Sequence, residues 1–334
     1  MKGPVACFGE VLLRFSAADG TALRDAARLD VHVGGAEANV AVALANLGLE
    51  TRMISTLPSN PLGMLATKAL RREGVDCSDI ATGEGSMGSY FLSPAAGARS
   101  GEVLYDRTAS AFALAGPRDV SVLEGAHHLH VSGISLAVSE AASAAVRALT
   151  GAAKDKGLTV SFDGNFRPSL WAASNREPRG EIAEMVGMAD LFFGNHKDIS
   201  LLLGRTFSGD GGARRREAAL ALLDAFPGLG TIASTARQVE DGHTHRITAR
   251  IDTRAAAAES RERVLPGIID RIGTGDAFAA GVLTRWLEQP EALQQAVEGG
   301  AALAALKHYE PGDFCRASAT EWRQAMEGTG DVSR

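Results

Sequence analysis

Residues 270–281 read DRIGTGDAFAAG: a glycine-threonine-glycine turn, an aspartate, then a run of small apolar residues. The pattern predicts a helix over 275–287 that opens on a flexible turn. The first turn of a helix has unpaired N–H donors and a partial positive charge, so it attracts anions. Gly273 and Gly275, on either side of Thr274, let that backbone approach a phosphate with no Cβ in the way. Asp276 then admits two readings. It is either a plain helix cap, or a carboxylate beside a bound anion that accepts a proton from a hydroxyl.

A second glycine pair precedes a helix in the first third of the chain, in HVGGAEANVAVALANLG (32–48). Gly34 and Gly35 either allow close approach of a ligand or make a tight strand-to-helix turn, and the small-residue helix behind them carries Asn39. No Gly-Lys-Ser/Thr follows, so this is no P-loop. GTGDAFAAG is no dinucleotide fingerprint either, because Phe278 stands where the third glycine belongs and the segment comes far too late in the chain.

Between these motifs, short β-rich runs alternate with helical patterns. Strands are predicted at 5–8, 51–57, 128–132, 158–163, 190–194 and 231–234, and helices at 37–47, 61–73, 139–156, 181–188, 213–225, 275–287, 291–307 and 320–326. Such alternation predicts an α/β fold, a parallel sheet between two helical layers. Segments 12–33 and 89–107 break the rhythm; SYFLSP and EVLYDR, joined by AAGARSG, predict a hairpin outside the main layers, a small β-sheet lid. RITARIDTRAAAAESRERVL reads as two edge strands around an alanine-rich loop. The expectation is one domain over 1–334, with lid strands from about 12–33 and 89–107.

Composition narrows the function. The 334 residues carry 34 basic and 40 acidic side chains, a net charge of −6, which argues against binding to nucleic acid. The cluster Arg214–Arg216 reads as a solvated helix face. Cys7, Cys77 and Cys315 are isolated, which supports neither a disulfide framework nor a zinc site. The eight histidines show no metal-ligand spacing, and His127, His128 and His130 straddle one strand. The N-terminus lacks a secretion signal, and no uncharged run approaches the ~18 residues of a membrane span. A soluble, cytoplasmic protein is expected.

Together, the paired glycines and the later G-x-G-D segment resemble the PfkB, or ribokinase-like, family of sugar kinases. The likeness runs from CFGEVLLRFS to KHYEPGDF. It implies a three-layer α/β/α core with a small β-sheet lid, and ATP-dependent phosphorylation of a sugar-type hydroxyl. GEVLLRFS, LPSNPLG, YDRTASAFA, FDGNFRPSLW and EPGDF are similar to segments of the members that phosphorylate 2-keto-3-deoxygluconate at its 6-hydroxyl. That substrate carries a carboxylate, which the arginine fork matches in two-pronged fashion. The resemblance puts Arg107 and Arg167 in or near the ligand site, a surface ion pair being the alternative for each. Gly34, Gly35 and Asn39 belong to the same end. Tyr90 and Tyr105 either cover the substrate and direct their hydroxyls at it, or seal the lid. Asp313 lies near the substrate or simply makes a turn. Asp276 becomes the base, with Gly273, Thr274 and Gly275 holding the transferred phosphoryl group.

The nucleotide end is implied less sharply. Asn165, Asn195, Ser234, Arg237, Gly275, Lys307 and His308, with Ala302, correspond to it, but STARQV (234–239) lacks the family's glycine-rich loop. Asp198 stands where the family has glutamate at the Mg2+ end; the shorter carboxylate implies a role through water. A homodimer or higher oligomer through the lid edges is a further expectation. Two alternatives stay open: another sugar kinase of fructokinase or ribokinase type, or a non-catalytic sugar-binding regulator on the same fold.

Overall fold

The computed structural model describes residues 3–18, 20–95, 100–240 and 244–328; the middle of the AAGARSG connection, 96–99, lies outside them. Val5–Phe8 is the hub of a ten-stranded sheet, parallel to Thr51–Pro58 on one side and to His128–Ser132 on the other. Ile80–Gly83 extends the first side, while Thr159–Asp163, Leu191–Phe193 and Thr231–Val239 extend the second, all in parallel. Thr244–Asp252 then turns back antiparallel and carries Ala257–Glu259 and Arg263–Pro266.

Every strand expected in the core is present, with two changes at the sheet's end. The strand from Thr231 continues to Val239 because its hairpin partner pairs with it throughout, so STARQV is strand and not a wrapping loop. Half of the alanine run is also strand, since pairing with Thr244–Asp252 overrides alanine's poor β-preference. Short helices at Gly133–Val138, Pro168–Ser174 and His196–Leu203 were not expected; so few turns give no readable period.

Alternation along the strands builds two cores. Cys7, Met53 and Phe193 face the layer of Ala36–Asn46, Thr274–Trp286 and Leu293–Lys307. Phe8, Ile54 and Phe192 face the layer that includes Glu140–Asp155, Pro178–Met188 and Gly211–Ala225. The small residues after Asp276 serve this packing: a Cβ on Gly281 would lie 2.4 Å from the Gly299 carbonyl of the neighbouring helix.

A separate four-stranded sheet, ordered Leu29–Gly34, Leu12–Ala17, Ser89–Ser93, Glu102–Asp106, occupies the segments that broke the pattern. The chain crosses from one side of Val5–Phe8 to the other, and ligands of open α/β sheets bind in the crevice beyond the strand ends at such a switch. The smaller sheet lies over that crevice, its Tyr90 and Val103 among the lining residues. Among the described residues no helix is long and apolar enough to cross a membrane.

Candidate active site

Asp163, Gly194 and Asn195, at or just beyond the carboxyl ends of two parallel strands, and Ser234, just past the parallel-paired part of Thr231–Val239, line a cleft of about 450 Å³ together with the glycine turn, Asp276 and the smaller sheet. Gly273 is the helix N-cap, in the left-handed conformation at φ 79°. A Cβ there would sit 2.1 Å from the Asp313 carbonyl oxygen, so only glycine allows these two loops to meet. Asp276 makes no capping bond; its Oδ2 accepts from Asn39 Nδ2 at 2.6 Å. The cap reading is thereby excluded, and the two motifs are joined by one hydrogen bond.

The paired glycines act by close approach. On Gly34 a Cβ would fall 2.0 Å from Asp313 Oδ1, and on Gly35, at φ 132°, it would fall 2.1 Å from the Glu10 carbonyl. Gly34 therefore makes room for a protein carboxylate, while Gly35 lines the cleft itself.

Burial pushes the Asp276 carboxyl up to about 7, against the opposing pull of the Asn39 bond and of Arg167. Asp163, unassigned in the sequence reading, is also pushed up to about 7, first by burial and then by the charges of Asp276 and Asp198. Glu37, behind the paired glycines, accepts from Ser132 N, Ser132 Oγ and Ser135 Oγ at 3.1, 2.7 and 2.8 Å, yet burial still raises it to about 7. Between the usual carboxylate range and about pH 7 the folded chain keeps protons that the unfolded chain has lost, so stability falls as pH rises through this window. Glu37→Gln is expected to flatten the decline in Tm between pH 5 and 8, measured by calorimetry; an undiminished slope would remove Glu37 as a source.

Tyr90, Tyr105, Arg107, Arg167 and Asp313 line the same cleft. Tyr90 and Tyr105 face each other at 6.0 Å between ring centroids, but the Tyr90 hydroxyl donates to Asp313 Oδ1 at 2.7 Å. Its proton is thus committed to a protein carboxylate, not aimed at a substrate oxygen. Asp313 is buried, so the plain-turn reading does not hold. Arg107 is only 2% exposed: Nε donates to Glu10 Oε2 at 2.7 Å, Nη2 pairs with the same oxygen, and Nη1 has no partner. Arg167 is exposed, and among the described residues its hydrogen bond is to the neighbouring Phe166 carbonyl. Asn165 holds a left-handed φ of 37° beside it, a conformation asparagine tolerates.

The cleft continues past Thr274 and Gly275 into a second chamber lined by Ser234, Thr235, Arg237 and His308. Arg271, passed over in the sequence, lines the first chamber, and its charge together with burial lowers the basicity of Arg237. The structure sets Lys307 apart: fully buried behind Gly273, it donates to the Glu310 carbonyl at 2.8 Å and faces no chamber. Ala302 is likewise buried in the helical layer. Asn195 and Asp198 form a capping box on His196–Leu203, Asp198 Oδ2 accepting from Asn195 N at 2.8 Å. Among the described residues no group of three or more His, Cys, Asp or Glu could hold a metal. Asp163 and Asp198 both line the cleft, two carboxylates with no third beside them in a ligand cluster, which is compatible with an ion such as Mg2+ that takes one or two carboxylates and fills its shell with other oxygens.

Residues 3–242 match the pfkB family carbohydrate kinases. The 2-dehydro-3-deoxygalactonokinase of Haloferax volcanii is 31% identical over 98% of this chain and 98% of its own length. The 2-dehydro-3-deoxygluconokinase of Bacillus subtilis is 29% identical over 94% and 92%, and a probable fructokinase of Arabidopsis thaliana is 25% identical over 88% and 84%. Among solved structures, 2-dehydro-3-deoxygluconokinase from Thermotoga maritima superimposes with a TM-score of 0.92, at 32% identity, covering 98% of this chain and 100% of that one. A fold, two glycine motifs joined at Asp276 and matches along nearly the whole chain agree: the protein is an enzyme of the pfkB family of carbohydrate kinases.

Proposed function

We propose that the enzyme transfers the γ-phosphoryl group of ATP to the 6-hydroxyl of 2-keto-3-deoxygluconate. The observation that carries this reading is one cleft lined both by an anion-attracting helix start with Asp276 and by two arginines, Arg107 and Arg167. Arg107 is already paired with Glu10, so the cation open to a sugar-acid carboxylate is Arg167, which a neutral sugar does not need. The relatives named for 2-dehydro-3-deoxy sugar acids support the same choice.

In this reading Asp276 takes the proton of the 6-hydroxyl as its oxygen attacks the γ-phosphorus and the bond to ADP breaks. A carboxyl raised to about 7 is half ionised at neutral pH, which suits a base working there. The N–H groups after Gly273 hold the charge of the transferred group, a preorganised stabilisation that needs no rearrangement during reaction. Asp163 and Asp198 would hold Mg2+, which would supply charge to offset the nucleotide phosphates when bound. The smaller sheet acts as a lid that excludes water from the site.

Coupled ADP release over a panel of sugar acids and neutral sugars tests the proposal. Turnover of 2-keto-3-deoxygluconate well above fructose and ribose is expected; turnover of neutral sugars only would overturn it. The galactonate-derived epimer belongs in the panel because the Haloferax relative is named for it. In the same assay Arg271→Ala is expected to raise the ATP KM about tenfold, the scale of one lost bond to a charged group, and to spare the sugar KM.

A further inference from the structure

Arg14 is the bulkiest fully buried side chain among the described residues, at 1% exposure. It starts on Leu12–Ala17 of the smaller sheet and reaches into the core between two loops. Nη2 donates to Asp270 Oδ2 at 2.7 Å, and Nε lies 3.2 Å from Asp313 Oδ2. Asp270 also accepts from the backbone N–H of Ile272 and of Gly312, each at 3.0 Å. One carboxylate thus pins the approach to the glycine turn and the approach to Asp313. The two loops meet at Gly273, and Tyr90, the register partner of Arg14 on the neighbouring strand, also holds Asp313.

A buried ion pair seldom stabilises a fold more than apolar residues of similar volume, so stability is a weak reason for this arrangement. We propose that Arg14 is a positioning residue for phosphoryl transfer: from the lid it fixes Asp313 at the sugar end and, through Asp270, the glycine turn at the phosphate end. The inference rests on the kinase reading above. Arg14 also offsets the negative charge of Asp313, which would otherwise repel an acidic substrate.

The groups facing Asp313 are Arg14 and Tyr90 from the smaller sheet, Asp270 and Lys307 from behind the glycine turn, and Asp276 from the helix. Arg14 itself also faces His32 on Leu29–Gly34. Arg14 is the foremost influence keeping Asp313 ionised against burial. Its loss lets Asp313 take up a proton at higher pH and cease to accept from a substrate hydroxyl.

The test compares full-length wild type, Arg14→Met and Arg14→Lys, measuring kcat and both KM values from pH 5.5 to 9. For Arg14→Met, kcat/KM for the sugar acid is expected to fall about tenfold or more near pH 6 and to recover towards alkaline pH, its acid limb moved upward. Arg14→Lys keeps the charge, so the limb stays, but one ammonium cannot match two carboxylates and kcat drops. A pH-independent loss in Arg14→Met with no rescue by lysine overturns the proposal and leaves Arg14 as fold support. If Arg14→Met does not fold, Arg14→Lys decides alone, and wild-type kcat there overturns it. Should the wild type reject sugar acids, the substrate reading fails, and the same profiles are taken with whichever sugar it phosphorylates. If it phosphorylates none, the 13C-carboxyl titration of Asp313 is compared in wild type and Arg14→Lys or Arg14→Met; an unchanged midpoint in Arg14→Met, or a shifted one in Arg14→Lys, overturns the proposal.

Discussion

Asp276→Asn is expected to lower kcat by about 10²–10⁴-fold, the usual worth of a positioned general base, while the KM values for sugar and ATP stay within a few-fold. The substitution keeps the shape of the side chain and its place beside Asn39, 2.6 Å away in the wild type, so the cleft has no reason to rearrange. What it removes is the oxygen that accepts the hydroxyl proton. In the wild type, kcat/KM should fall as pH drops below about 7, because protonated Asp276 cannot act as a base. The variant's residual rate should lack that limb. Stability should move the other way. The folded chain holds this proton up to about pH 7, whereas the unfolded chain loses it near the ordinary aspartate value of 3.8, so ionised Asp276 destabilises the fold above that window. Asparagine carries no such charge, and the variant's Tm at pH 8 should equal or exceed the wild type's. A dead enzyme with a raised Tm separates lost chemistry from lost folding; full activity in Asp276→Asn would refute the mechanism.

The two arginines are expected to respond in different ways, although the sequence presented them as equals. Arg167 is exposed and donates to the neighbouring Phe166 carbonyl. Arg167→Ala should raise the sugar-acid KM by about 10- to 100-fold, the loss of one or two charge-assisted bonds, while a neutral sugar loses only the smaller kcat factor that follows from Asp276 being pushed further up. Arg107 is sealed against Glu10. Arg107→Ala leaves that carboxylate buried without its partner, a loss of about 3–5 kcal/mol of stability, and also removes the Nη1 donor that has no protein partner. It should therefore lower Tm steeply and impair every substrate. Arg167→Ala is the cleaner discriminator between a sugar acid and a neutral sugar, read by kcat/KM ratios beside thermal melts. Equal losses on both sugar types in Arg167→Ala would contradict a carboxylate-binding role.

Much of this architecture was legible in local chemistry. Period-two apolar runs such as 128–132, and the interruptions at 12–33 and 89–107, each follow from neighbours in sequence, so the parallel core and the extra sheet could be read directly. The glycine turn at 273–275 was readable for the same reason, since a missing Cβ is a property of the residue itself. Partnership was not readable. STARQV became strand through pairing with Thr244–Asp252, and Tyr90 turned to Asp313, which is 223 residues away in sequence. Lys307 withdrew behind the turn because its amine found the Glu310 carbonyl there. Arg14, Asp163, Asp270 and Arg271 carry no local signal, since a single charged residue in a strand or loop looks like any other. By itself, then, the sequence determined the elements, their alternation and the backbone able to approach a phosphate, because these depend on short-range sterics and periodicity. Tertiary structure alone decided which carboxylates are raised to about 7, which arginine remains free, and that Asp276 serves no cap, because burial and charge pairing arise only where distant segments meet.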